Sequence, residues 1–527
     1  IAILNEGEGE YVEGSEYSAE IEQLAQQENN DCTDIAECAN LLAQEQVGII
    51  ALVGGAEDST YSAEIEQVSQ QENNGCSDIA ICANAAEQLQ VGDIELIGGG
   101  EYSTYSAEIE QISEQENKDC SEESICANAA VQAQEVNILA LGGEGSTYSA
   151  EIEQISQQEN KDCTDSICAN IAAQIQAPII NVDGEGGSLY SAEIEQISQQ
   201  ENKDCVDSLC ENTAVQAQLV PLDLIGGGPG SSYSTEIEQI ATQENKVCDN
   251  SICANNAIQI QGGSILQTGV PSTSYSAEIE QNVEQKNVLC SDSLCENNVL
   301  QTQIPVLIGG ESGSNYIKQE AEQSNFACFD SLCSNNLVQT QGVLGSSGSY
   351  YDTQKAQQSN IGCFSSICTN TQVQLDSGTS KQYNIGCIDS TCVNPESLSG
   401  KQYNIGCINT SLCNTGTYSY NIGCIGTICA YQGDGHSGSS SYSSFGSLYK
   451  TVGQTQSLQT SDATEIEGTN HAIEQPQSLS TSDSTEAEQL ITTRSTNEGN
   501  NDDNTGDGEG EEGSGEGEGE EGSGEGE

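Results

Sequence analysis

An all-β chain is predicted: a tapering β-arch solenoid, or β-arcade, of about twelve disulfide-capped rungs with a disordered acidic C-terminal tail. Three observations predict it. Cysteines recur in C-x4-C or C-x5-C pairs, the residues between pairs alternate with a period of two, and the step between successive pairs falls from 44 residues near the N-terminus to 17 near residue 424. Repeats of fixed period stack into an ordinary solenoid. A constant cysteine loop between shortening arms stacks into a wedge.

Taken in chain order, residues 1–16 form an N-terminal segment without the repeat, and residues 17–431 are the tapering array. The fourth repeat, Tyr148 to Leu189, serves for all of them. On its first arm Tyr148, Ala150, Ile152, Gln154, Ser156, Gln158 and Asn160 alternate with Ser149, Glu151, Glu153, Ile155, Gln157 and Glu159. That is a period-2 strand. Beyond the Cys163 to Cys168 loop, Asn170, Ala172, Gln174 and Gln176 share one face, and Ala169, Ile171, Ala173 and Ile175 share the other. The arms mirror each other, as a strand, a tight arch and a returning strand would. AEIEQISQQE is also built of good helix formers. The alternation, the Gly-rich turns and the brevity of Tyr403 to Cys413 favour the arch. Inward Gln and Asn at repeated positions then predict amide ladders along the stack, with Tyr17, Tyr61, Tyr105, Tyr148, Tyr190, Tyr233, Tyr275 and Tyr316 stacking likewise. At about 4.8 Å per rung, twelve rungs rise on the order of 58 Å.

The cysteine pairs are Cys32 and Cys38, Cys76 and Cys82, Cys120 and Cys126, Cys163 and Cys168, Cys205 and Cys210, and Cys248 and Cys253. Toward the C-terminus follow Cys290 and Cys295, Cys328 and Cys333, Cys363 and Cys368, Cys387 and Cys392, Cys407 and Cys413, and Cys424 and Cys429. Regular pairing with almost no histidine reads as disulfides rather than zinc sites, because only His436 and His471 occur and both lie outside the repeats. Each pair is expected to close within its own rung. Bonding between stacked rungs, for instance Cys163 to Cys205, meets the same Cα distance and is the rival.

Past Tyr431 the pattern stops. Residues 432–496 are Ser/Thr/Gly-rich, either linker or extra strands, with QSLQTSD echoed by QSLSTSD. Residues 497–527 form a Gly/Glu tail too poor in apolar residues to fold.

A formal charge of −72 with a sequence pI near 4.1 excludes nucleic acid and membrane insertion or adsorption as natural modes, and makes cations the natural partners. The chain opens on Ile1 and contains no Met, so it reads as a processed form whose secretion signal has been removed. Together with the disulfides this predicts an extracellular location.

The pattern Gln154-x3-Gln158-x-Asn160, then Asn170-x-Ala172-x-Gln174, resembles that of curli-type amyloid subunits over roughly residues 17 to 431. Curli rungs are shorter, uniform and without disulfides. The long, Cys-stapled, tapering arches look more like extracellular sheath or fibre proteins of filamentous archaea. This resemblance implies self-polymerisation through β-edges, a place outside the cell, and no enzymatic activity.

Glutamates recur in register: Glu64, Glu108, Glu151 and Glu193, each followed two residues on by Glu66, Glu110, Glu153 and Glu195. Such a ladder must bind cations, raise its pKa values or be screened by water. Calcium suits oxygen-only sites, and a solvated face that keeps the protein soluble is the plainer alternative. No other cofactor is expected. Identical acidic pairs without a differentiated pocket argue against a glycosidase, and the absence of histidine from the repeats argues against nucleophilic catalysis. The sequence thus points to a secreted structural homopolymer, with a calcium-dependent surface adhesin as the alternative.

Overall fold

The computed structural model describes residues 2–6, 16–53, 57–97, 101–226, 229–268, 273–308, 313–345, 349–374, 379–394, 400–410, 412–415, 419–422 and 429–431. Among these residues every regular element is a strand, and all strand pairing is parallel. First arms, from Glu16–Asn29 to Ser419–Ile422, form a 12-stranded sheet; second arms, from Glu37–Val53 to Cys429–Tyr431, belong to a 13-stranded one. Register is like on like: Tyr148 lies between Tyr105 and Tyr190, and Gln174 between Gln132 and Gln216. The regions 432–496 and 497–527 lie outside the described residues.

Period-2 alternation sets the burial. In the first arm Thr147–Asn160 the residues Tyr148, Ala150, Ile152, Gln154, Ser156, Gln158 and Asn160 are buried, and the intervening ones face outward. Its partner Ile167–Gly184 buries Cys168, Asn170, Ala172, Gln174, Gln176, Pro178, Ile180, Val182 and Gly184. The interior is therefore sorted into zones: disulfides and Asn at the arch tip, Gln beyond them, and an apolar mouth of Tyr, Ala and Ile against Ile, Leu and Val. Taper removes the mouth and keeps the tip. First arms shrink from 14 residues to 7 at Thr379–Ile385, and the shorter arm still buries Gln382 and Asn384.

Within each described rung the two cysteines are joined, from Cys32–Cys38 to Cys387–Cys392, with Cα atoms 6.1 Å apart in the first and 6.5 Å in the last. Cys163 bonds Cys168, not Cys205. Cys407 is also disulfide-bonded; Cys424 and the side chains of Cys413 and Cys429 lie outside the described residues. The arch corner needs a left-handed backbone just before the first cysteine, supplied by Asp162 (φ 55°) and Asp204 (φ 53°), and by Gly362 and Gly386 lower in the stack. Asp and Gly tolerate it readily, whereas Val247 (φ 54°), Leu289 (φ 56°) and Ala327 (φ 59°) are held in it before Cys248, Cys290 and Cys328.

Amide ladders run the length of the array. Asn160 donates from Nδ2 to Oδ1 of Asn170 across the arch (2.9 Å) and to Oδ1 of Asn202 in the next rung (2.9 Å). Gln154 Nε2 donates to Gln111 Oε1 at 2.8 Å, and Gln174 Nε2 to Gln132 Oε1 at 3.0 Å. The glutamines also tie the sheets together, since Gln174 Nε2 donates to the opposite backbone at Gln154 O (3.0 Å). Tyrosines from Tyr17 to Tyr275 stack with ring centroids 4.3 to 5.0 Å apart.

One expectation needs correction. Tyr316 does not join the tyrosine ladder: it pairs with Glu278, while Tyr275 meets Gly313. From Tyr275 to the ladder Asn287 is an even number of residues, whereas from Tyr316 to Asn325 is an odd one, so the pleat turns Tyr316 to the outer face. The N-terminal segment, which lacks the repeat, nevertheless supplies a strand. Ala2–Glu6 is paired with Ile49–Val53, covering the end of the first rung's second arm farthest from the arch.

Candidate functional site

The strands of the first arms carry the predicted glutamates outward, and like-on-like register gathers them into two neighbouring columns. Glu64, Glu108, Glu151 and Glu193 align in one; Glu66, Glu110, Glu153 and Glu195 align in the other. Both continue through Glu236 and Glu238 to Glu278 and Glu280. Burial and then neighbouring carboxylates hold Glu64, Glu66, Glu151 and Glu153 above the usual carboxylate range. The same causes push Glu110 and Glu195 up to about 7. The second column ends at a cation. Lys318 sits beneath Glu280, its Nζ 2.9 Å from Glu280 Oε2 and 3.2 Å from Glu320 Oε2. Burial is the largest single influence on Glu280 and raises it, but hydrogen bonds from Lys318 and Asn282 and the charge of Lys318 together leave the carboxyl below its ordinary value.

A third acidic column, closer to the arch, supplies its own counterions. Lys161 bridges Glu116 above and Glu159 beside it (3.0 Å to the latter); Lys203 likewise bridges Glu159 and Glu201, and Lys246 bridges Glu201 and Glu244. Each glutamate thus lies between two ammonium groups. Burial disfavours the charge on Lys161, yet hydrogen bonds to Glu116 and Glu159 hold its pKa above the ordinary lysine value. Glu72 is held down, first by its hydrogen bond from Lys118. The Glu-Asn-Lys run announces this zipper, because residues two apart on a strand share a face. Sequence reasoning attended to the unpaired columns and passed over it.

Between the amide row and the zipper runs a groove of about 740 Å³ along the stack, lined by Gln70, Glu72, Gln157, Glu159, Gln199 and Glu201 among others. Its lining repeats from rung to rung. The exceptions are Glu114 and Thr242, which stand in register with Gln70, Gln157 and Gln199 of the other rungs.

At the arch, sulfurs of adjacent rungs converge within 4.8 Å, as in Cys163, Cys168 and Cys210. Held as disulfides, they lack the thiolates a metal needs. A serine two residues before the second cysteine completes the arch: Ser208 Oγ donates to Cys163 O at 2.8 Å, and Ser251 Oγ to Cys205 O at 2.8 Å. Its recurrence in the loops was a readable signal of a buried ladder.

No protein-family model, curated protein or solved structure matches this chain. The likeness to curli-type subunits and archaeal sheath proteins rests on the repeat pattern alone.

Proposed function

We propose that the chain is a secreted structural protein, without enzymatic activity, that polymerises through its strand edges into an extracellular sheath or fibre. The observation that carries this reading is the in-register parallel stack whose first strand on the first-arm side, Glu16–Asn29, pairs on one side only among the described residues. Strand edges of this kind template further strands. Ladders of Asn, Gln and Tyr repeat with the rung, so an added rung prolongs every one of them. Numerous disulfides suit an oxidising, extracellular setting. Cations, calcium among them, would offset the unpaired glutamate columns as subunits gather.

The test is assembly of the full chain, followed by light scattering and negative-stain microscopy. Fibres or sheets that lengthen with concentration are expected, and Asn29→Asp should slow growth by placing a carboxylate charge at the ladder's outermost member, where an added rung would bury it. A chain that stays monomeric at high concentration, with disulfides formed and calcium present, would overturn the reading.

A further inference from the structure

The two outer faces differ in kind. First arms expose carboxylates, whereas most of the exposed large apolar side chains among the described residues lie on the outside of the second arms. Ile171 is 48% exposed, Ile175 54%, Leu219 59% and Ile260 49%. In the 13-stranded sheet one column runs from Val131 through Ala173, Val215, Ile258 and Leu300 to Val338. Beside it Ala133, Ile175, Ala217 and Ile260 form a second. Neither contains a charge. The carboxylates this face does carry, among them Glu45, Glu87, Glu95, Glu135, Glu211 and Glu296, lie outside these two columns as followed from Val131 and Ala133.

We infer that this apolar face docks against the same face of a second copy of the chain, pairing two stacks back to back. A region eight residues long and seven strands across, from the strand Ile125–Gly142 to the strand Ile367–Gln374, measures roughly 26 Å by 30 Å at the standard sheet spacings. That is on the order of 800 Å², which matches the roughly 800 Å² per partner of a standard interface. Apolar columns edge that region on both sides, with Glu211, Glu296 and a polar row through Thr213, Asn256, Asn298 and Asn336 lying between them. Charge selects the partner. Pairing through the first arms would bring glutamate columns together, while pairing through the second arms turns them outward to water. A like face also matches the pitch of its partner, as in the dry junction between paired sheets. In the sequence of 432–527 the apolar residues are scattered among Ser, Gly and Glu, without the alternating apolar pattern of the second arms. This association is lateral and independent of edge growth.

Sedimentation of the full chain tests it, comparing wild type with the double variant Ile175→Lys and Ile260→Lys. Both side chains point to solvent, so circular dichroism and the melting temperature should hold while pairing weakens by at least about a hundredfold, as for losing central apolar anchors. Asn29→Asp should shorten axial growth and leave the pair intact. Wild-type filaments of single width would leave the polymer reading standing and overturn this one. So would lysine variants that pair as the wild type does, or a pair lost in Asn29→Asp and kept with the lysines.

Discussion

The rung closed by Cys163 and Cys168 and the rung closed by Cys387 and Cys392 share an arch and differ in everything beyond it. The lower rung buries Ser380, Gln382, Asn384, Cys387, Cys392 and Asn394, a wholly polar and sulfur interior. The upper one adds Tyr148, Ala150 and Ile152 against Ile180 and Val182. Because each rung needs partners above and below, the amide ladder is what both ends have in common, and the hydrophobic effect is confined to the wide end. A stack can therefore narrow to a few residues and keep its register, provided Asn and the disulfide stay. The difference also separates two jobs: the tip specifies alignment, and the mouth supplies bulk stability.

The sharpest way to break this comparison is to cut the shared ladder. Asn170 donates to Glu201 O, Asn202 Oδ1 and Asn212 Oδ1 at 3.0, 3.0 and 2.9 Å, and accepts from Asn128 and Asn160. Asn170→Leu leaves several buried groups unpaired, each costing about 1 to 3 kcal/mol, so a loss of about 4 kcal/mol in urea unfolding is expected. Asn384→Leu should do as much damage locally, and hydrogen exchange should find every rung C-terminal to it unprotected. An equal, mild effect at both sites would mean that the ladder is ornamental.

Second in size is the mouth. Ile152→Ala should cost about 3 kcal/mol by lost burial and cavity, with exchange rising in neighbouring wide rungs and unchanged in Thr379–Ile385. Third come the staples. By the chain-entropy model a loop this short contributes about 2 kcal/mol. Replacing Cys387 and Cys392 by Ser should free the narrow rungs at room temperature, whereas replacing Cys163 and Cys168 should only lower the melting point, since the mouth still holds them. Exchange mapped by mass spectrometry after each change separates the two.

Much of this contrast was legible beforehand because parity and spacing are properties of a strand that need no tertiary context. Gln154, Gln158, Asn160, Asn170 and Gln174 were placed inward by counting alone. The in-rung disulfides were the expected pairing, but loop length could not exclude bonding between stacked rungs, which meets the same Cα distance. Tyr316 went astray where tyrosine identity was followed in place of parity. Ala2–Glu6 was missed for a different reason: five residues without cysteine or repeat carry no local signal, and their strand exists only because Ile49–Val53 presents an edge. The lysine zipper was readable from Glu159 and Lys161 two residues apart. What could not be read is how far burial on the outer face raises Glu110, because that depends on the neighbours that register brings together.

The smallest expected effect concerns those carboxylates and sets two regions of one face against each other. Glu110 and Glu195, pushed from an ordinary 4.5 up to about 7, first by burial and then by neighbouring glutamates, hold their protons more tightly folded than unfolded. Their contribution is fully present below about 4.5 and is lost as pH rises through about 7. Glu72 runs the other way. Held down by Lys118, it contributes above its ordinary value, and that contribution disappears as pH falls through its depressed one. Urea stability should accordingly decline between pH 4.5 and 7 by about 1 kcal/mol or less per raised carboxylate, since these groups are partly screened by solvent. Glu110→Gln with Glu195→Gln should flatten that decline, and Lys118→Gln should flatten the acid limb alone. Calcium sharpens the comparison further. Should the unpaired columns bind it, calcium will restore stability at pH 7 where sodium of equal ionic strength does not, and it will leave the zipper's acid limb unmoved. Identical curves for the two ions would reduce the glutamate columns to a solvated face, and a wild type more stable at pH 7 than at pH 4.5 would show that the lysine zipper outweighs them.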